Sequence, residues 1–186
     1  IVLSTFIYTS GYYVWVGSSP IRFKDESFQS GIASESVNAS GPTFIDYDDD
    51  GDIDIYVVTE FHGEGQGNRL FENQGNRIFV DVAESRGVDN ENALGRGASW
   101  GDYDNDNDLD LYVTNWGTAE SNPKNALFKN NGDSTFTDIA SEVGVDNNLN
   151  SVMAAWADYD NDGDLDLYVA ELYKQDFLYE NQEGRI

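Results

Sequence analysis

Cysteine is absent from the 186-residue chain. A disulfide framework and a thiolate metal site are therefore excluded, and an oxidising compartment is neither required nor excluded. Basic residues are scarce: ten Lys and Arg stand against 35 Asp and Glu, for a formal charge of −25. Phosphate binding needs clustered Lys and Arg, so nucleic acid is a poor partner. The single histidine, His62, lies in the Gly-rich stretch Phe61-His-Gly-Glu-Gly-Gln-Gly67 and reads as a surface residue. Gly97-Ala-Ser99-Trp-Gly101 spells G-x-S-x-G, but it reads as a strand leading into an acidic stretch rather than as the strand-turn-helix of a nucleophile elbow, and the chain reads as a non-enzyme. Long apolar runs are missing too. Residues 1–16 are apolar but broken by Ser, Thr and Gly, and too short for a confident transmembrane helix. They lack a basic n-region and a starting Met, so the sequence reads as a mature or partly covered chain rather than one with an intact signal peptide.

What the chain does have is acid in a regular pattern. Its length suits one domain with a real core, and 13% aromatic residues with clear strand patterning argue against disorder. Self-repulsion of the excess charge opposes compaction unless cations neutralise it. Sixteen of the 35 acids stand in three stretches, Asp46-Tyr-Asp-Asp-Asp-Gly-Asp-Ile-Asp54, Asp102-Tyr-Asp-Asn-Asp-Asn-Asp-Leu-Asp110 and Asp158-Tyr-Asp-Asn-Asp-Gly-Asp-Leu-Asp166, whose first residues are 56 apart. Charge concentrated in this way favours bound cations over a diffuse acidic tail.

The repeat is larger than its acidic loop. Phe23-Lys-Asp25, Phe79-Val-Asp81 and Phe136-Thr-Asp138 align, each followed by Gly-Ile or Gly-Val. So do Asn68-Arg-Leu-Phe-Glu-Asn73, Asn125-Ala-Leu-Phe-Lys-Asn130 and Asp176-Phe-Leu-Tyr-Glu-Asn181. Three anchors in one order define a repeat architecture. Within each unit a first strand enters the acidic loop and a second leaves it as alternating Leu-Asp-Leu-Tyr-Val. The Leu-Phe pair makes a third strand and Phe-x-Asp a fourth. Four antiparallel strands every 50 to 60 residues predict all-β, propeller-type blades; a parallel β-helix has much shorter turns. Repeats are placed at 22–78, 79–135 and 136–186, after an N-terminal β segment at 1–21 of one or two strands split at Gly11.

Alternating aspartates on a plain strand would crowd like charges on one face, which destabilises it. Gly51, Asn107 and Gly163 at the sixth position suit a left-handed turn instead. Such a turn curls the first, third, fifth and ninth side chains around a point. Hard oxygens converging in this way suit Ca²⁺, which takes six to eight of them at roughly 2.3–2.6 Å, ahead of the smaller, stricter Mg²⁺. The three predicted Ca²⁺ sites use Asp46, Asp48, Asp50 and Asp54 with the Asp52 carbonyl, Asp102, Asp104, Asp106 and Asp110 with that of Asp108, and Asp158, Asp160, Asp162 and Asp166 with that of Asp164. An EF-hand is excluded: its loop needs Glu at position twelve, where this chain has Val57, Val113 and Val169 inside strands.

On these motifs residues 22–186 resemble the FG-GAP or VCBS repeat family, whose best-known members are the propellers of integrin α subunits. The resemblance implies that each loop joins the first two strands of a blade and binds Ca²⁺ through the positions given above. Asn107 departs from the family's Gly, and a weaker second site is the expectation. Family blades serve adhesion, sugar recognition and scaffolding, so the resemblance implies the fold more strongly than the function.

Three blades are few for a closed propeller. The predicted partners are therefore other copies of the chain, joined by strand donation into an assembly or filament, or the further blades of a longer propeller. An extracellular or cell-surface location, where calcium is plentiful, fits structural sites of this kind. The alternative function is carbohydrate binding. Trp100 and Trp156, in register before the loops, read as blade core, while Trp116 is the candidate glycan contact. Asn38-Ala-Ser40 is a glycosylation sequon.

Overall fold

A computed structural model of the protein describes residues 5–9, 12–16, 22–34, 38–60, 67–91, 93–117 and 123–182, the first two stretches as backbone only. Three antiparallel sheets follow one another along the chain. The first has the order β3 (Ala39–Ile45), β4 (Asp54–Thr59), β5 (Arg69–Asn73), β6 (Phe79–Asp81), preceded by the separate hairpin of β1 (Thr5–Thr9) and β2 (Tyr12–Val16). The second repeats it with β7 (Gly95–Gly101), β8 (Asp110–Asn115), β9 (Ala126–Asn130) and β10 (Phe136–Asp138). The third has three strands among the described residues, β11 (Ser151–Ala157), β12 (Asp166–Glu171) and β13 (Phe177–Tyr179). These are the blades predicted from the repeat, and the N-terminal segment holds two paired strands; Gly11, the predicted break, lies outside the described residues.

The second strand of each blade decides how the blades stack. Its side chains alternate between two faces, and in the middle blade both faces are apolar because a neighbouring sheet covers each one. Tyr56 and Val58 on β4 meet Leu111 and Val113 on β8 in one core cluster. Tyr112 on the other face of β8 meets Leu167 and Val169 on β12 in the next. A large aromatic from the following blade closes each layer. Trp100 packs edge-on against Tyr56 with ring centroids 5.8 Å apart, and Trp156 edge-on against Tyr112 at 6.3 Å. The predicted core role of both tryptophans is thus a blade-to-blade wedge. Close approach is possible because β7 is glycine-rich: a Cβ on Gly95 would stand 2.3 Å from Val58 Cγ1.

One expected strand does not form. Phe23-Lys-Asp25 matches Phe79-Val-Asp81 and Phe136-Thr-Asp138 in sequence, but the segment is irregular and Phe23 is 98% exposed. A strand needs a ladder partner, and β6 and β10 find theirs in β5 and β9; among the described residues no third strand lies beside Phe23. Its local turn survives nevertheless. Asp25 accepts a hydrogen bond from the Ser27 amide as Asp81 does from that of Ala83 and Asp138 from that of Ala140. In the latter two the turn becomes a single helical turn, α1 (Ala83–Arg86) and α2 (Ala140–Val143). Each is stopped by a glycine, Gly87 or Gly144, in the left-handed conformation that residues with a side chain resist.

Candidate metal centre

The three acidic loops lie between the first and second strands of their blades, linking β3 to β4, β7 to β8 and β11 to β12. Two residues in each take a positive φ. The sixth position does so as anticipated, at Gly51, Asn107 and Gly163. The fourth does so as well, at Asp49, Asn105 and Asn161. Asp and Asn tolerate this backbone better than other side chains, and that composition was the overlooked signal.

Curling of the loop is fixed by its own carboxylates. Asp46 accepts from the Gly51 amide, Asp102 from those of Asp106 and Asn107, and Asp158 from those of Asp162 and Gly163. The ninth aspartate anchors the loop to the sheet. Asp54, Asp110 and Asp166 are buried, and each takes one amide from the loop (Tyr47, Tyr103, Tyr159) and one from the third strand or its end (Asn73, Asn130, Asn181). Burial pushes the Asp54 carboxyl up to about 6 and that of Asp110 up to about 7, against the lowering effect of those same amides. Burial, followed by the charges of Asp50 and Glu72, raises that of Asp48 as well.

Three carboxylates converge in each loop, with one oxygen apiece lying within 4.8 Å of the others: Asp46, Asp48 and Asp50; Asp102, Asp104 and Asp110; Asp158, Asp160 and Asp166. Nine of the twelve predicted side-chain ligands are thus gathered. Asp54, Asp106 and Asp162 stand outside these tight triples, as do the side chains of Asp52, Asp108 and Asp164, which were assigned only through their carbonyls. The side chain of Asp164 instead accepts from Asn105 at 2.6 Å, tying the third loop to the second. The chemistry of the donor set fits a hard cation, since every converging group is a carboxylate. Three of their oxygens, Oδ1 of Asp46, Asp48 and Asp104, are also buried without a hydrogen-bond partner. A buried carboxylate oxygen left unsatisfied is costly, and a bound cation removes that cost.

The recurring asparagine of the third strand proves to be part of the centre. Besides giving its amide to the ninth aspartate, its side chain donates to the loop carbonyl of Ile53, Leu109 or Leu165. Asn181 also donates to the Tyr103 carbonyl of the preceding blade at 2.7 Å, and Asn130 reaches that of Tyr47 at 3.5 Å. The loops and the blade stack are therefore mechanically coupled. The motif was visible as a repeated Asn, but its partners, up to 83 residues away, were not.

The remaining predicted positions lie elsewhere. Trp116 is half-buried just past β8, and the Arg96 guanidinium sits 4.7 Å above its ring, covering one face. Asn38 is exposed immediately before β3. His62 lies outside the described residues.

A family model described as FG-GAP-like repeat matches residues 46–113 and 116–169, more than half of the chain and all three acidic loops. Among curated proteins the chain is similar to Cartilage acidic protein 1. The Xenopus tropicalis protein is 36% identical over 105 residues, covering 54% of this chain. The Mus musculus protein is 37% identical over 105 residues with the same coverage. The matched stretch spans 15% of the length of either relative.

Proposed function

The chain belongs to the FG-GAP-like repeat family, and from that premise we propose that it is a calcium-stapled structural module of an extracellular protein, with a role in adhesion or scaffolding rather than catalysis. The observation that carries this reading is the gathering of carboxylates, some with buried unpartnered oxygens, at the same place in three successive blades. Calcium would be held by the converging aspartates, with the carbonyls of Asp52, Asp108 and Asp164 completing a set of hard oxygens. It would supply charge neutralisation, while the ninth aspartate and the third-strand asparagine pass the order of the loop on to the sheet. Binding at a hundredfold excess over the dissociation constant stabilises a fold by about 2.7 kcal/mol per site, which matters against a total of roughly 5–15 kcal/mol. An extracellular setting is supported by the plentiful calcium there and by relatives named for cartilage and acidity.

In this reading the uncovered face of the third blade meets a further blade, from a second copy or from a longer protein. Support comes from Tyr168 and Leu178, which are exposed where their counterparts in the first two blades are fully buried.

Terbium luminescence tests the metal assignment. Tyr47, Tyr103 and Tyr159 sit one residue into the loops, so bound Tb³⁺ should emit by energy transfer on excitation of the protein, and calcium should quench that emission competitively. Absence of sensitised emission, or emission that calcium does not displace while Asp46→Asn, Asp102→Asn and Asp158→Asn leave it intact, would overturn the assignment.

A further inference from the structure

The three loops are not electrostatically equal, and the difference traces to one position of the third strand. In the first blade that position is Glu72, which accepts a 2.6 Å hydrogen bond from the Tyr47 hydroxyl and pairs with Arg86. In the third it is Glu180, which accepts from the Tyr159 hydroxyl at 3.3 Å. In the second blade the position is Lys129. Its ammonium pairs with Asp104 and, at 3.1 Å, with Asp106, and lies 5.8 Å from the centre of the Tyr103 ring. Lys129 is part-buried and Asp104 more so, so the pair is less screened than an open surface bridge. Asp104 and Asp106 are two of the four side chains assigned to the cation of that loop.

We infer that Lys129 is an internal counter-ion of the second loop: it holds that loop in shape without metal and competes with calcium for Asp104 and Asp106, so the second site is the weakest of the three. This rests on the calcium reading above. The reasoning is electrostatic. An added divalent ion meets a carboxylate at this position in the first and third blades, and a like charge in the second. A unit charge about 6 Å from a divalent ion in a water-like medium changes its affinity roughly tenfold. Reversal of sign should therefore separate the second site from the others by at least about tenfold. To bind fully there, calcium must displace the ammonium from Asp106 and from the outer oxygen of Asp104, whereas Oδ1 of Asp104 already lacks a partner. Asn107, with φ at 73°, adds strain that Gly51 and Gly163 avoid, but strain alone does not predict a response to position 129.

The test is calorimetric titration of the whole chain with calcium, alongside melting in EDTA and in calcium, for wild type, Lys129→Gln and Lys129→Glu. The expected wild-type isotherm has two tight sites and one weaker by tenfold or more. Lys129→Gln should tighten the weak site and Lys129→Glu should bring it level with the others, leaving the first two unchanged. Lys129→Gln should also melt lower than wild type in EDTA, with the gap closing in calcium. Three equal wild-type sites, or a weak site indifferent to both substitutions, would overturn the inference while leaving calcium binding intact. So would a melting deficit in Lys129→Gln that is equal in both buffers, which marks an ordinary structural ion pair. No calcium binding to wild type would instead remove the calcium reading, and this inference with it.

Discussion

The second and third blades carry the same Asp-Leu-Tyr-Val stretch, with a leucine paired to its tyrosine in the same register, and only in the second is the tyrosine face covered. Tyr112 is 0% exposed and Leu127 likewise, whereas their counterparts Tyr168 and Leu178 are 44% and 55% exposed. Trp156 stands over Tyr112; among the described residues no tryptophan stands over Tyr168. The hydroxyls find different partners accordingly, Tyr112 donating to the buried Val145 carbonyl and Tyr168 to the exposed Asp176 carboxylate. At the other end of the stack Phe44, in the register of Trp100 and Trp156, is 72% exposed. Burial here belongs to the neighbouring blade rather than to the residue. The module presents an aromatic wedge at one end and an unfilled tyrosine layer at the other, the two halves of an interface it already builds twice internally.

The largest expected effect comes from truncating equivalent tyrosines. Tyr112→Ala should cost about 3–5 kcal/mol, the range for large buried aromatics, while Tyr168→Ala costs under about 1 kcal/mol in the isolated chain. Urea denaturation measures both, and equal losses would break the comparison by showing that the third blade is already covered in solution. A smaller effect separates the metal-free protein from the loaded one. Asp54 and Asp110, both in the covered blades, titrate near 6 and near 7, above the unfolded carboxylate value of about 4. The native state in EDTA therefore binds more protons than the unfolded state across that window. Its stability contribution from these groups is complete below about pH 4 and is lost as pH rises toward about 7. Calcium needs the deprotonated carboxylates, so in calcium the slope should reverse, with stability falling on acidification. Melting temperatures between pH 5 and about 7 in the two buffers check the sign, and Asp110→Asn should flatten the EDTA slope.

Much of this architecture was legible because each repeat is a local device. The acidic loops, the alternating Leu-Asp-Leu-Tyr-Val strand and the Leu-Phe and Phe-x-Asp strands announce themselves through residue type and spacing, and the blade order follows. What the sequence hid was whatever depends on a partner. Phe23-Lys-Asp25 has the residues of a fourth strand, but among the described residues no strand pairs with it. Tyr168 looks identical to Tyr112 until the next blade is considered. Asn130 and Asn181 act on carbonyls 83 and 78 residues away, one blade back. The short turns at Ala83–Arg86 and Ala140–Val143 arise from an Asp cap and a left-handed glycine, too few residues to carry a helical period. Lys129 is visible as a Lys among Glu, but its pairing with Asp104 exists only once β8 and β9 lie side by side.

The central claim is that cations hold the three loops, and through them the blades. It is tested most directly by melting the intact chain with and without a chelator. The account predicts a single transition that falls by several degrees in EDTA and recovers when calcium is restored in excess, with magnesium less effective. Superimposable melting curves in EDTA and in calcium would contradict it.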